Sequence, residues 1–209
     1  MKTMNNIFSK SRVEAFSDGI FAIIITLLVL EIKVPHISEH HSAQNLSYAL
    51  SGLLPKFIGW LISFFTVAVI WVNHHRIFKQ IKQIDQGIFW LNALLLLWTS
   101  FIPFPTAVLG DYPGNIASIV LYGAVMSLMA LSFFLLRLYL IRKKGLLEES
   151  TDLMSFRTGT MYSLLFGPVA YLTGVGLGFI HPYFAFGIFL GIPLYFVFSQ
   201  SRTSSSVNH

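Results

Sequence analysis

The 209-residue chain contains no cysteine, which excludes disulfides and thiolate metal sites. Charge is almost as scarce. Asp, Glu, Lys and Arg make up 11% of the residues and apolar types 55%, and a soluble domain carries about 25% charged residues. With a mean hydropathy of +0.68, the composition is that of a polytopic membrane protein. Enzymatic motifs are missing as well: there is no HExxH, no GxSxG, no phosphate loop and no paired acidic cluster at bilayer depth, so an intramembrane enzyme is disfavoured. No internal repeat stands out. Polar content at the midplane is chiefly Thr26, Asn92 and small hydroxyls, little for a transporter that must hold a charged substrate. The N-terminus, MKTMNNIFSKS, has no apolar core ahead of a small-residue cleavage site, so no removable signal peptide is read there. The net charge of +5 is assigned to membrane orientation rather than to nucleic acid.

What is present is six apolar segments separated by polar breaks, at 14–34, 54–73, 87–109, 116–141, 156–180 and 183–199. Backbone groups in hydrocarbon must be satisfied within the segment, and strand alternation is absent, so an all-α integral membrane protein of six transmembrane helices is expected. Residues 1–200 form one domain, and the polar stretch 201–209 is expected to be a disordered tail. With both termini cytoplasmic, twelve of the 14 Lys and Arg residues lie inside, and only Lys33 and Lys56 lie outside. That is the positive-inside pattern, and an even number of spans agrees with it. In the first outer loop His36 and His40 have i, i+4 spacing beside Glu39 and His41; exposed loop polarity is preferred to a metal site.

The first segment, Arg12 to Pro35, carries charge unusually deep. Beyond Asp18 only twelve residues, Gly19 to Leu30, precede Glu31, and a span needs about 20. Either the helix stops short, or Glu14 and Asp18 fall inside the membrane boundary, where a carboxylate must find protein or water. Arg12 and Asp18 point about 120° apart on a helix, so Asp18 is expected to join a buried network with another helix, and His74 and His75 of WVNHHRIF share its depth. The alternative is that these groups ride in the interfacial belt with Trp71. Asn92 suits a hydrogen bond between helices. The run TGVGLGF from Thr173 to Phe179 looks like a carbonyl filter, but Gly174 and Gly178 have the small-xxx-small spacing of helix packing, and Pro168 upstream predicts a kink.

Arg12-x-x-x-Phe16-Ser17-Asp18 ahead of an apolar span, with Trp71-x-x-His74-His75, Asn92 and the Pro103-Phe104-Pro105 triplet, resembles the transmembrane protein 175 family of endolysosomal potassium channels and their prokaryotic homologues. The resemblance implies a single six-span set per subunit, a homotetramer in a prokaryotic plasma membrane, and a central pore lined by the first helix. No cofactor is implied, and the permeant ion is K+ among monovalent cations. It further implies that apolar rings replace a carbonyl filter. On the first helix Phe16, Ile20, Ile23, Leu27, Leu30 and Val34 fall within about 40° of one line; Ile23, Leu27 and Leu30 are then the constriction, and Phe16, Ile20 and Val34 further pore-face residues. The runner-up readings are a secondary transporter of a small solute or ion and a non-conducting membrane assembly protein.

Overall fold

The computed structural model describes residues 9–36 and 43–205, with side chains through position 197. All of its regular structure is helical apart from one isolated bridge between Ile81 and Leu147. Helix α1 (Lys10–Leu30) begins where Ser9 accepts a hydrogen bond from the Arg12 backbone N–H. The short exposed α2 (Ala43–Ser51) precedes α3 (Leu54–Gln80). Asp85, Asn115 and Asp152 then cap α4 (Gln86–Ser100), α6 (Ile116–Arg142) and α7 (Leu153–Leu164) in the same way, each side chain accepting a backbone N–H of the first turn. Such caps place each helix start at a polar break and satisfy donors that the helix leaves orphaned.

Two of the apolar segments are interrupted. The third divides at Phe101 and Ile102 into α4 and α5 (Pro103–Asp111), where Pro103 opens the new helix, a position at which a missing N–H is harmless. The fifth divides at a π turn, Leu165–Val169, that joins α7 to α8 (Ala170–Gly178). Pro168 lies inside that turn, and Gly167 has non-helical backbone angles (φ −100°, ψ −105°), so the kink that Pro168 predicts is present. The last helix, α9 (Pro182–Ser205), contains Pro193 and extends into the segment whose composition suggests disorder.

Five helical stretches are long and apolar enough to cross a membrane, namely Lys10–Leu30, Leu54–Gln80, Gln86–Asp111, Ile116–Arg142 and Leu153–Gly178; Pro182–Val197 is a shorter apolar helix. Helix α6 is the most enclosed, with Ile119, Tyr122, Met126 and Leu136 fully buried. Around it pack α4, α5, α7 and α8, while α1 lies on α3 and α4. The glycines of TGVGLG serve this packing. A Cβ at Gly174 would come within 2.7 Å of Phe189 on α9, and one at Gly178 within 2.8 Å of Ile119 on α6, whereas one at Gly176 would meet nothing within 4 Å. The run is helical, not the extended loop that a carbonyl filter requires.

The ends of α3 and α6 that carry Arg76, Lys79 and Arg142 define a basic end of the bundle. There Lys82 N–H donates to Leu146 O and Glu148 N–H to Gln80 O, flanking the Ile81–Leu147 bridge. Tyr139 Oη and Lys143 Nζ both donate to Asp85 Oδ2, at 2.8 and 2.6 Å. A Cβ at Gly87 would collide with the Tyr139 hydroxyl, so only glycine there leaves room for this cluster. Burial pushes the Asp85 carboxyl up, but the bonds from Lys143, Ile88 N–H and Tyr139 outweigh it and hold the group below its ordinary value. The same bonds to Asp85 and Tyr139 push the Lys143 ammonium up.

Candidate functional site: the first helix and its anchoring network

Helix α1 presents three longitudinal faces. Val13, Ser17, Phe21, Ile24 and Leu28 are buried against α3 and α4. At about 100° per residue, Phe16, Ile23, Leu27 and Leu30 lie roughly a quarter turn away, and all four are exposed on the chain, Ile23 to 59% and Leu30 to 68%. Ile20 shares that face and is partly buried. A further quarter turn on is a row of exposed small residues, Ala15, Gly19, Ala22 and Thr26. Val34 stands apart: α1 ends at Leu30, so Val34 belongs to the non-helical segment that follows and is not on the helical line. Phe16, Ile20, Ile23 and Leu27 border a groove of about 400 Å³ whose far wall is Ala93, Leu97 and Ser100 of α4.

One hydrogen-bonded chain anchors the buried face. Ser17 Oγ donates to Val13 O at 2.8 Å, Asn92 Nδ2 donates to Ser17 Oγ at 3.0 Å, and His74 Nε2 lies 2.8 Å from Asn92 Oδ1. The directions are mutually determined. The single Ser17 hydroxyl hydrogen is used on Val13, so Ser17 accepts from Asn92, the Asn92 oxygen faces His74, and His74 Nε2 must carry a hydrogen. All three side chains are buried, and the chain ties α1, α3 and α4 together. His74 is held between Phe78, whose ring stacks at 4.1 Å, and the edge of Phe21 at 5.4 Å.

Asp18 finds its partner on another helix, as expected, but not in a buried network. It is exposed, and its partner is neither His74 nor His75 but Trp71, whose indole N–H donates to Asp18 Oδ1 at 2.9 Å. The reason is angular: Ser17 faces the core, so its neighbour, 100° further round, is turned to the flank of α3. His75 is also exposed and lies beside Trp71 with near-parallel rings. The Arg12 side chain is exposed, and its backbone N–H is held by Ser9. Nearby, Lys10 Nζ donates to Ile81 O at 2.7 Å. Among the described residues no group of three or more His, Asp or Glu side chains is placed to hold a metal; Glu39, His40 and His41 lie outside them.

A second buried polar cluster was not singled out by the sequence. Ser63 Oγ lies 2.7 Å from Thr106 Oγ1 and 3.0 Å from Tyr122 Oη, joining α3, α5 and α6. At the opposite end from the basic loops, Lys56 pairs with Asp111. Hydroxyls among apolar residues give little signal in a sequence, because any of them can satisfy itself on its own helix.

Similarity to known proteins follows the same residues. A family model described as the endosomal/lysosomal potassium channel TMEM175 matches residues 12–103, the stretch that holds α1 from Arg12 onward and the Ser17–Asn92–His74 network. A potassium channel of Chamaesiphon minutus is 38% identical over 190 residues, covering 88% of this chain and 92% of that protein. The human endosomal/lysosomal proton channel TMEM175 is 40% identical over 100 residues, 46% of this chain and 20% of that protein. The crystal structure of a lysosomal potassium-selective channel TMEM175 homolog from Chamaesiphon minutus superposes with a TM-score of 0.78 at 36% identity, covering 91% of this chain and 97% of that one. The chain belongs to the TMEM175 family, whose members are ion channels and not enzymes.

Proposed function

We infer that this chain is the subunit of a potassium-permeable channel in a prokaryotic plasma membrane, with six membrane-crossing helices, cytoplasmic termini and a homotetrameric pore lined by α1. The observation that carries the reading is the exposed apolar line of Phe16, Ile23, Leu27 and Leu30 on a helix whose neighbouring face, a quarter turn away, is fixed to its own subunit. The row of Ala15, Gly19, Ala22 and Thr26 beside it supports close approach of a neighbouring helix. Four copies of α1 then turn Ile23, Leu27 and Leu30 to a common axis as three stacked rings. The distribution of Lys and Arg sets the basic end on the cytoplasmic side.

An apolar ring of this kind gates by dewetting: an ion that enters loses hydration, and no oxygen replaces it. Potassium surrenders its hydration at lower cost than the smaller sodium, so the ring favours potassium over sodium when it is wide enough to conduct. Signature residues Ser17, His74 and Asn92, with Asp18 and Trp71, hold the helix in register rather than contacting the ion. Reconstituted current under bi-ionic potassium and sodium conditions tests the reading. Passive flux that follows the potassium gradient is expected, and Ile23→Asn is expected to raise leak current and alter selectivity. Saturable transport driven by a proton or sodium gradient, or an Ile23→Asn current identical to that of the parent, overturns it.

A further inference from the structure

Away from α1, the subunit encloses a cavity of about 1060 Å³ bounded by α3, α6, α7, the π turn and α9. This is at the upper end of the range for small-molecule sites. On α3 its lining runs from Thr66 to Gln80, and the part below the basic rim, Thr66 to Arg76, is ten residues or about 15 Å deep. That depth is half the hydrocarbon thickness of a bilayer, about 30 Å, so the cavity spans one leaflet from the basic end inward. Its innermost wall is largely apolar, made by Val69, Ile70, Met129, Phe133 and Ile192, with Asn73 a turn nearer the mouth. The hydroxyls at its floor are already engaged, Thr66 with Ile62 O and, at 3.5 Å, with Tyr171 Oη. Water needs two or more free polar partners to occupy such a space, and this wall offers few.

The mouth is different. Arg137 lies there, half-buried, and Arg76 of α3 lines the same cavity. Arg137 Nε donates to Thr160 Oγ1 at 3.0 Å and Nη2 to Phe156 O at 2.9 Å, and the guanidinium rests 4.4 Å above the Phe156 ring. Among the described residues no carboxylate pairs with it. A guanidinium has five N–H donors, and these two bonds leave three for a further partner. The absence of a side chain at Gly159 leaves the space that Nη2 occupies. Asp152 also borders the mouth, but its oxygens accept from Met154 N–H and Ser155 Oγ at the start of α7. Charge and polarity therefore arrange a cation at headgroup level and an apolar slot below it. Of the helices that frame the slot, one is interrupted at the π turn that holds Pro168 and another carries Pro193 within it.

We propose that this cavity binds an anionic phospholipid of the leaflet at the basic end, its phosphate accepting hydrogen bonds from Arg137 and one acyl chain lying between α3, α6 and α9. Planar, permanently charged arginine suits phosphate, and its deeper position disfavours a zwitterionic headgroup, whose own ammonium would meet the guanidinium.

The test is native mass spectrometry of the full-length purified protein with palmitoyl-oleoyl phosphatidylglycerol or the matching phosphatidylcholine added to the micelles. Preferential retention of phosphatidylglycerol is expected, with the preference reduced about tenfold by Arg137→Gln. Ile70→Trp, which fills the slot and leaves the Arg137 bonds in place, is expected to abolish the tightly held lipid, and it keeps the test decisive if Arg137→Gln fails to fold. Equal retention of the two lipids by the parent protein overturns the proposal. So does unchanged phosphatidylglycerol retention in Ile70→Trp, which indicates annular lipid only, or displacement by millimolar inorganic phosphate, which indicates a free-anion site.

Discussion

Asn92 on α4 gives its amide hydrogen to Ser17 on α1 across 3.0 Å, at a point where both side chains are buried. Because Ser17 is also bonded to Val13 O and Asn92 to His74, this contact is the middle link of the only described side-chain hydrogen-bond chain that joins three helices through α1. Replacing Asn92 with Ala strands hydrogen-bonding groups on two helices, and the expected loss is about 1–2 kcal/mol. Chemical unfolding in detergent measures it. Ser17→Ala should cost less, since it strands only the Asn92 amide, and a double mutant that costs the sum of the two single changes would show that the link carries no coupling.

The small-residue row of α1 makes a separate prediction about assembly. Gly19→Leu adds bulk where the subunit itself offers nothing within 4 Å of a Cβ, so the isolated subunit should fold and melt as before. If neighbouring α1 helices approach along this row, the oligomer falls apart or shifts in size, and light scattering on the detergent-solubilised protein detects it. An unchanged mass would move the subunit contact to another face.

Within TGVGLG, packing predicts an alternating response. Gly178→Val presses on Ile119 and Ala185, and Gly174→Val presses on Phe189; each should destabilise by about 1–3 kcal/mol through overpacking. Gly176→Ala meets open space and should be close to neutral. Thermal melts of the three variants in detergent decide it. A filter made of backbone carbonyls would instead show its effect in ion selectivity with little change in melting.

The Asp85–Lys143 pair gives a pH signature. The Asp85 carboxyl is held below its ordinary value, so its contribution is complete above the unfolded value of about 3.9 and disappears as pH falls through the folded value. Lys143 is raised, so its contribution is complete below about 10.4 and disappears as pH rises through its folded value. Asp85→Asn keeps a good helix cap and removes the charge. The Tm gap between parent and variant should be constant from pH 5 to 9 and close below about pH 4. A gap that shows no narrowing as pH falls below about 4 would assign the loss to the cap.

Much of this was legible in the chain because polar breaks are costly in a membrane and therefore informative. Asp85, Asn115 and Asp152 stand at breaks in hydropathy and cap helices, and the kink at Pro168 follows from a missing N–H. Periodicity separated the line of Ile23, Leu27 and Leu30 from the line of Ser17 and Phe21, but it does not say which neighbour each line meets. That is why Asp18 was assigned to the histidines and is found on Trp71. Position along two helices fixed the depth of these groups, while their rotation about the helix axes decided the partner. The Arg137 cavity was invisible for a related reason. A void belongs to no residue, and it exists only because five helical pieces fail to close on one another. A lone arginine near the end of an apolar segment was its single trace.

The bridge of Ile81 to Leu147 and the ties around Asp85 clamp the loop after α3 to the loop after α6. A clamp at one end of a bundle converts it into a hinged frame, in which α3, α4 and α6 cannot slide past one another without first tearing backbone pairing apart. Helix α1 is hung on that frame by the Ser17–Asn92 link, the Trp71–Asp18 bond and the Lys10–Ile81 bond, all within its first nine residues. Among the described residues, the far half of α1, with Ile23, Leu27 and Leu30, is held to the subunit by apolar contact, through the buried Ile24 and Leu28. The polar anchors and the residues assigned to the constriction thus occupy opposite halves of one helix, so the anchors fix where that helix starts and apolar packing fixes where the constriction lies.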